Sequence, residues 1–350
     1  MAIDSASQAS GSEFTSGIAP ELLSDAADLG PGIGPYRLAW RRLKRNRGAL
    51  FFGGIFAVIV VLCLLAPVYA NSIAHTGPNE NHITETIRVG GKAETVVNTI
   101  GIPIGPTWHS KFFLGADSNG RDVAVRLLYG GRNSLEVGAV ATLITMILAT
   151  IIGVLAGYLR GWVDGVLTRI LDVIWAYPVY ILGVALGALL AISGIDLGLF
   201  KLQGNSLMVP AVVIGAIYVP YVAKPIRGQV LGLREREFVD SARAQGQSTL
   251  RIMATEILPN VASTVIVFVP LILANAILTE AGLSYLGAGV QPPNPSWGTM
   301  IADGIRSIPA AIHLVIVPGV MLVLAVLSVN VFGDGARDAL DPRAKVRIGR

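Results

Sequence analysis

Six stretches of this chain carry no formal charge and are long enough to cross a lipid bilayer, which leaves few choices of fold. They run from Gly48 to Ala70, Val137 to Leu159, Val173 to Ile195, Leu207 to Ala223, Ile257 to Thr279 and Ser307 to Gly333. A crossing takes roughly 20 apolar residues. In hydrocarbon each backbone amide must bond within its own segment, so the stretches are expected to be helices. With 53% hydrophobic and only 14% charged residues, the remainder offers little material for a soluble domain.

The first stretch begins too late and runs too long for a cleaved signal, and it is read as a retained anchor. Immediately before it stand Arg37, Arg41, Arg42, Lys44, Arg45 and Arg47. Positive charge beside a first span favours the cytoplasmic side. Six crossings then return the C-terminus to that side. The expected layout is a disordered cytosolic tail over 1–35, a basic segment and first span over 36–70, and an extracytoplasmic loop over 71–133. A five-helix core over 134–335 follows, with a cytoplasmic loop at 224–256, and a cytosolic tail closes the chain over 336–350. The sequence pI near 9.3 needs no nucleic acid, because Arg and Lys beside anionic lipid account for it.

Signals of an active site are missing. The sequence holds no G-x-x-x-x-G-K-[ST] phosphate loop, no G-x-S-x-G elbow and no H-E-x-x-H helix. The lone Cys63 excludes an intrachain disulfide, and His75, His82, His109 and His313 lack zinc-ligand spacing. Glu136, Asp172, Lys224 and Glu280 lie at the edges of the stretches, which argues against a proton-coupled carrier. Energy for uphill transport must then come from a partner at the cytoplasmic surface.

The segment "REREFVDSARAQG" is the candidate surface. As a helix it sets Phe238, Ser241, Ala242 and Gln245 on one face, with Glu237, Asp240 and Arg243 around it. The small residues allow close approach by another protein, Phe238 supplies an apolar anchor, and Gly246 suits a left-handed cap. Asp240-Ser241-Ala242, then Gly246, then Ile257-Leu258-Pro259 resembles the EAA signature of permease subunits in ABC importers, with Asp in place of Glu and Ser in place of the first Ala. "FLGADSNGRDVAVRLLYGGRNSLEVG" (113–138), "LSYLGAGVQPPNPSWGTMI" (283–301) and "GDGARDALDP" (333–342) resemble the C-type permeases of dipeptide, oligopeptide and nickel importers. Ala116 departs from their Leu-Gly-Thr-Asp.

That resemblance implies an all-helical, six-span permease of the type I importer kind. It implies a homologous second permease, two cytoplasmic ATPase subunits that hold the ATP and Mg, and an extracytoplasmic solute-binding protein. No cofactor is expected on this chain. Glu237, Phe238, Asp240, Ser241, Ala242 and Gly246 become ATPase-coupling residues. Asp117, Asn119, Arg121 and Asp122 mark a turn beside the binding-protein dock, and Asn275 and Glu280 are candidates to line the solute path. Gly153, Gly157, Gly161 and Gly165 are read as a helix-packing run. Trp297, Pro292, Pro293 and Pro295 are read as shaping a rigid outer loop. The competing class is a self-sufficient channel or ion-coupled carrier, and the sequence leaves open which solute is moved.

Overall fold

The computed structural model describes residues 35–196, 198 and 201–340. The expected N-terminal tail up to residue 34 and the C-terminal segment 341–350 lie outside the described residues. A basic helix, α1 (Pro35–Arg45), leads into α2 (Arg47–Leu64), whose N-cap Asn46 accepts the Ala49 N–H at 3.0 Å. A short helical extension follows, Ala66–Tyr69 and then a π-turn Ala70–Ala74. Next comes an antiparallel hairpin, β1 (Thr86–Val89) and β2 (Lys92–Thr95), turned by Gly90 and Gly91 at φ +57° and +86°. Both central residues at positive φ are what a tight two-residue hairpin requires.

The region after α2 is more ordered than a connecting loop. Val96, Val97, Phe112 and Ala116 form a small core of their own, and Lys111 pairs with Glu85 at 2.6 Å. The expected loop boundary at 133 is corrected: α3 (Val123–Leu159) starts directly after Asp122, whose carboxylate caps the N–H groups of Ala124 and Val125. At 37 residues α3 exceeds what one bilayer crossing needs, so its first turns belong with the loop region.

The third stretch is the clearest departure from expectation. In place of one straight span stand α4 (Gly161–Ala176) and α5 (Val179–Ser193), bent by 94° where they meet. Pro178 has no N–H to donate and disfavours helical backbone at Tyr177, which is extended at φ −93°, ψ 137°. Among the described residues, five helices are long and apolar enough to cross, or six when the bent pair counts as one span. A two-residue pairing of Ile195–Asp196 with Lys201–Leu202 leads on to α6 (Met208–Leu233).

α6 is the most enclosed span and lies parallel to α3. Thr145 donates to the Gly215 carbonyl at 2.8 Å near one end, and Arg234 reaches the Tyr158 carbonyl at the other. The glycine run explains the closeness in part. A Cβ on Gly153 would stand 2.8 Å from the Ala223 carbonyl oxygen, and one on Gly157 would stand 2.7 Å from Val230 Cβ. The packing ends there: α3 stops at Arg160, Gly161 turns at φ +61°, and a Cβ at Gly165 would meet nothing.

Beyond the short helix α7 (Glu237–Ala244) the chain re-enters through Thr249–Ile252 and a π-turn into α8 (Leu258–Tyr285). It then makes a short helix α9 (Trp297–Ile305) and the final span α10 (His313–Leu340), which carries helix five residues into the expected tail. Leu43, Ala49 and Ala339 pack together, so the described N- and C-terminal elements meet at one end of the bundle. That end also holds α7, while the hairpin region and α9 occupy the other. The helical fold class stands as expected, with the hairpin as its one addition of any size among the described residues.

Candidate functional site

At the α7 end, the local sequence builds a short, firmly stopped helix. Glu237 and Asp240 sit in the first turn and Arg243 in the last, each favourable to the helix dipole. Gly246 takes φ +76°, its N–H bonding the Arg243 carbonyl at 2.9 Å while the Gln247 N–H bonds that of Ala242 at 3.1 Å. These two bonds make a Schellman cap, which satisfies carbonyls the helix would otherwise strand. Ser248 then caps the next turn through its hydroxyl.

α7 rests on its own chain through Val239 and Ala242, 0% and 4% exposed, which join a core containing Tyr158, Val230 and Ile252. Arg243 lies 5.6 Å from the Tyr158 ring centroid and pairs with Asp240 at 3.0 Å. The expected docking face is therefore corrected at Ala242. Its small side chain permits close approach, but to this chain's own bundle. The outward face carries Phe238, Ser241 and Gln245 instead, and Phe238 is 37% exposed. Leu250, 73% exposed just past the cap, adds a second apolar point that the sequence reading overlooked. An isolated leucine in an otherwise polar stretch was its only signal.

Two ion pairs fix the neighbouring bent pair against α6. Arg227 meets Asp164 at 2.6 Å, and Lys224 meets Asp172 at 2.7 Å while standing 4.3 Å from the Trp175 ring centroid. Residues at the predicted span edges thus hold helices in register.

At the opposite end, Asp117 closes the expected turn by accepting the N–H groups of Asn119 and Arg121 and pairing with Arg121 Nε at 2.7 Å. Asn119 is exposed. Asp122 is not a surface residue: it is fully buried, caps α3 and accepts the Phe112 N–H at 2.6 Å. Burial pushes the Asp122 carboxyl above its ordinary range, and those same backbone donors oppose the rise. The dock expectation therefore narrows to the exposed rim of the turn. Two residues absent from the sequence reading complete the cluster. Arg126 is 3.5 Å from Asp117, and Asp303 of α9 accepts from Arg121 at 3.4 Å.

The solute-path candidates separate. Asn275 turns back on its own helix, donating to the Leu271 carbonyl at 2.8 Å. Glu280 is fully buried and accepts the Ser284 hydroxyl at 2.6 Å, while Ser284 Oγ accepts the Val290 N–H at 2.9 Å. Glu280 thus braces the turn between α8 and α9, and in this conformation it lines no open path. Trp297 is likewise sealed, its indole N–H donating to the Leu127 carbonyl at 3.1 Å. The Ser296–Thr299 capping box starts α9 beside it.

Residues 149–346 match the family model described as binding-protein-dependent transport system inner membrane component. Residues 34–84 match the N-terminal TM domain of oligopeptide transport permease C. The chain is similar to the dipeptide transport system permease protein DppC of Alkalihalophilus pseudofirmus, 34% identical over 89% of this chain and 91% of that protein. It is also similar to the glutathione transport system permease protein GsiD of Pectobacterium atrosepticum, 32% identical over 89% of this chain and 92% of the relative. Among solved structures, an inward-facing MetNI methionine ABC transporter matches at TM-score 0.49 and 18% identity, covering 62% of this chain and 96% of that one.

Proposed function

This chain belongs to the binding-protein-dependent transport system inner membrane component family and is a permease subunit of an ABC importer; from that premise we propose that its solute is a peptide or a molecule of similar size. Relatives named for dipeptide and glutathione transport support that solute class. In this reading a second, homologous permease completes the pathway. Two ATPase subunits receive α7 of this chain and its counterpart, and a solute-binding protein docks at the rim around Asn119. ATP and Mg stay with the ATPase subunits.

One observation carries the coupling assignment: α7 is anchored inward by Val239 and Ala242 while presenting Phe238 outward. A helix fixed on one face to the span bundle and free on the other is a lever. A push on it moves the Tyr158 and Val230 ends of α3 and α6 as a body, the rigid-body motion by which such transitions proceed.

Purified alone, the chain is expected to hydrolyse no ATP, since it contains no phosphate-binding loop. Turnover that persists in a preparation free of other subunits would overturn the reading. Sidedness has its own test. Cysteines introduced at Asp240 and Arg45 are expected to react with an impermeant maleimide only from the cytoplasm, and one at Asn119 only from outside. Labelling of residues 119 and 240 from the same side contradicts this orientation.

A further inference from the structure

Between the hairpin region and α9 opens a cleft of about 720 Å³, bounded on one side by Tyr285–Gly287 and Pro292–Asn294. Three guanidinium groups line it: Arg121, Arg126 and Arg306. Arg126 is the deepest, its side chain only 5% exposed, with Nη1 donating to the Pro78 carbonyl and to Asn79. Its Nη2 stands 4.0 Å from Asp303, too far for a hydrogen bond. Arg121 spends Nε on Asp117 and reaches Asp303 only at 3.4 Å. Arg306 is exposed and makes no ion pair among the described residues.

The charges do not balance. Three guanidinium groups face two carboxylates, Asp117 and Asp303, and Asp303 is loosely held, its side chain 59% exposed. The rest of the wall is mainly neutral, with Asn79, Asn81, Gln291 and Asn294 among it. One uncompensated positive charge, with fork-shaped donors left open, fits a monoanion, and guanidinium pairs carboxylate in two parallel bonds. A phosphate dianion would leave negative charge unmatched beside Asp303.

We propose that this cleft is a low-affinity carboxylate subsite, where Arg121, Arg126 and Arg306 receive the carboxylate of the incoming solute. The proposal rests on the reading that this end of the bundle admits solute. It restricts that solute to molecules with a free carboxylate, and the amides of the wall accommodate the neutral remainder.

The test uses the whole complex of both permeases and the ATPases in lipid nanodiscs, without binding protein. Phenylglyoxal modifies accessible arginines, and peptide mapping reads the rate at Arg306, with Arg236 at the opposite end as internal reference. The probes are N-acetylalanine and its neutral amide, which differ in the charge of one group. At about 10 mM, roughly ten times a millimolar dissociation constant, N-acetylalanine is expected to slow modification of Arg306 about tenfold. The amide is expected to leave it unchanged, and Arg236 is expected to be indifferent to both. Arg121→Gln should abolish the protection. Asp303→Asn, which removes a competing carboxylate, should lower the concentration giving half-protection. Equal effects of acid and amide, no protection by either, or an Asp303→Asn variant that needs as much acid or more would overturn the proposal. ATP hydrolysis by the same nanodiscs once binding protein is added reports separately on the importer reading.

Discussion

Trp297→Ala is expected to destabilise the chain by about 3–5 kcal/mol, the range for truncating a large buried aromatic. The indole is fully buried where α2, α3 and α9 meet. A Cβ built on Gly131 would lie 2.6 Å from its ring, so α3 is shaped around it. Truncation leaves a cavity and removes the indole N–H bond to the Leu127 carbonyl. Neighbouring side chains cannot collapse into the gap, because α9 is held independently by its capping box and by the Trp297 N–H on Ser134 Oγ at 3.3 Å. The measurement is the thermal midpoint of the purified complex, followed by loss of the assembled permease pair. Trp297→Phe should recover most of the packing yet lack the hydrogen bond, remaining about 0.5–1.5 kcal/mol below the parent apart from any residual volume loss. An alanine variant that melts like the parent would mean that the buried arrangement is wrong and that this tryptophan sits at a lipid interface instead.

The second large effect concerns Phe238→Asp. Anchors of this kind cost 2 kcal/mol or more when lost, so binding of the ATPase subunits is expected to weaken roughly 30-fold or more. Binding-protein-stimulated ATP hydrolysis by the reconstituted complex should fall with it. Phe238 is exposed and lies outside the membrane spans, so insertion and yield should be unaffected. Two other substitutions in this helix test different things. Ala242→Trp strikes the chain's own core, where overpacking costs typically about 1–3 kcal/mol, and so it probes stability before docking. At Gly246 a Cβ would meet nothing, so Gly246→Leu acts only through its φ of +76°, at about 1–2 kcal/mol, loosening the Schellman cap. If Phe238→Asp retains pull-down of the ATPase subunits and full stimulation, α7 is a solvated connector and the coupling surface lies elsewhere.

Much of this architecture is legible in the sequence because lipid permits so few solutions. Long uncharged stretches became helices since nothing else satisfies a backbone in hydrocarbon. Gly246 announced its cap, and Asp117 and Asn119 announced their turn, because local backbone chemistry sets both. The Gly90-Gly91 hairpin obeys the same turn rules, although the hydropathy of the spans carries no signal of it. Pro178 likewise stood in plain view. Hydropathy averages over a window and is blind to a proline: Pro220, Pro270 and Pro318 stay inside unbroken helices, whereas at Pro178 the span bends by 94°.

The partners of each side chain were not legible, because they depend on which helices touch. Spacing placed Ala242 on the same face as Phe238. The turn of α7 against Tyr158 and Val230 put one inside and left the other out. Glu280 looks from sequence like a polar group at a span edge, open to a path, yet packing seals it beneath the turn before α9. Arg126 and Asp303 are separated by about half of the chain and carry no shared motif, so only the docking of α9 beside the start of α3 brings them within 4.0 Å. The sequence by itself therefore determined the solvent of this protein, the number of its apolar stretches and its local caps, all of which follow from short-range chemistry. The tertiary structure alone decided which faces those helices spend on one another, because burial is settled by contacts between residues far apart in the chain.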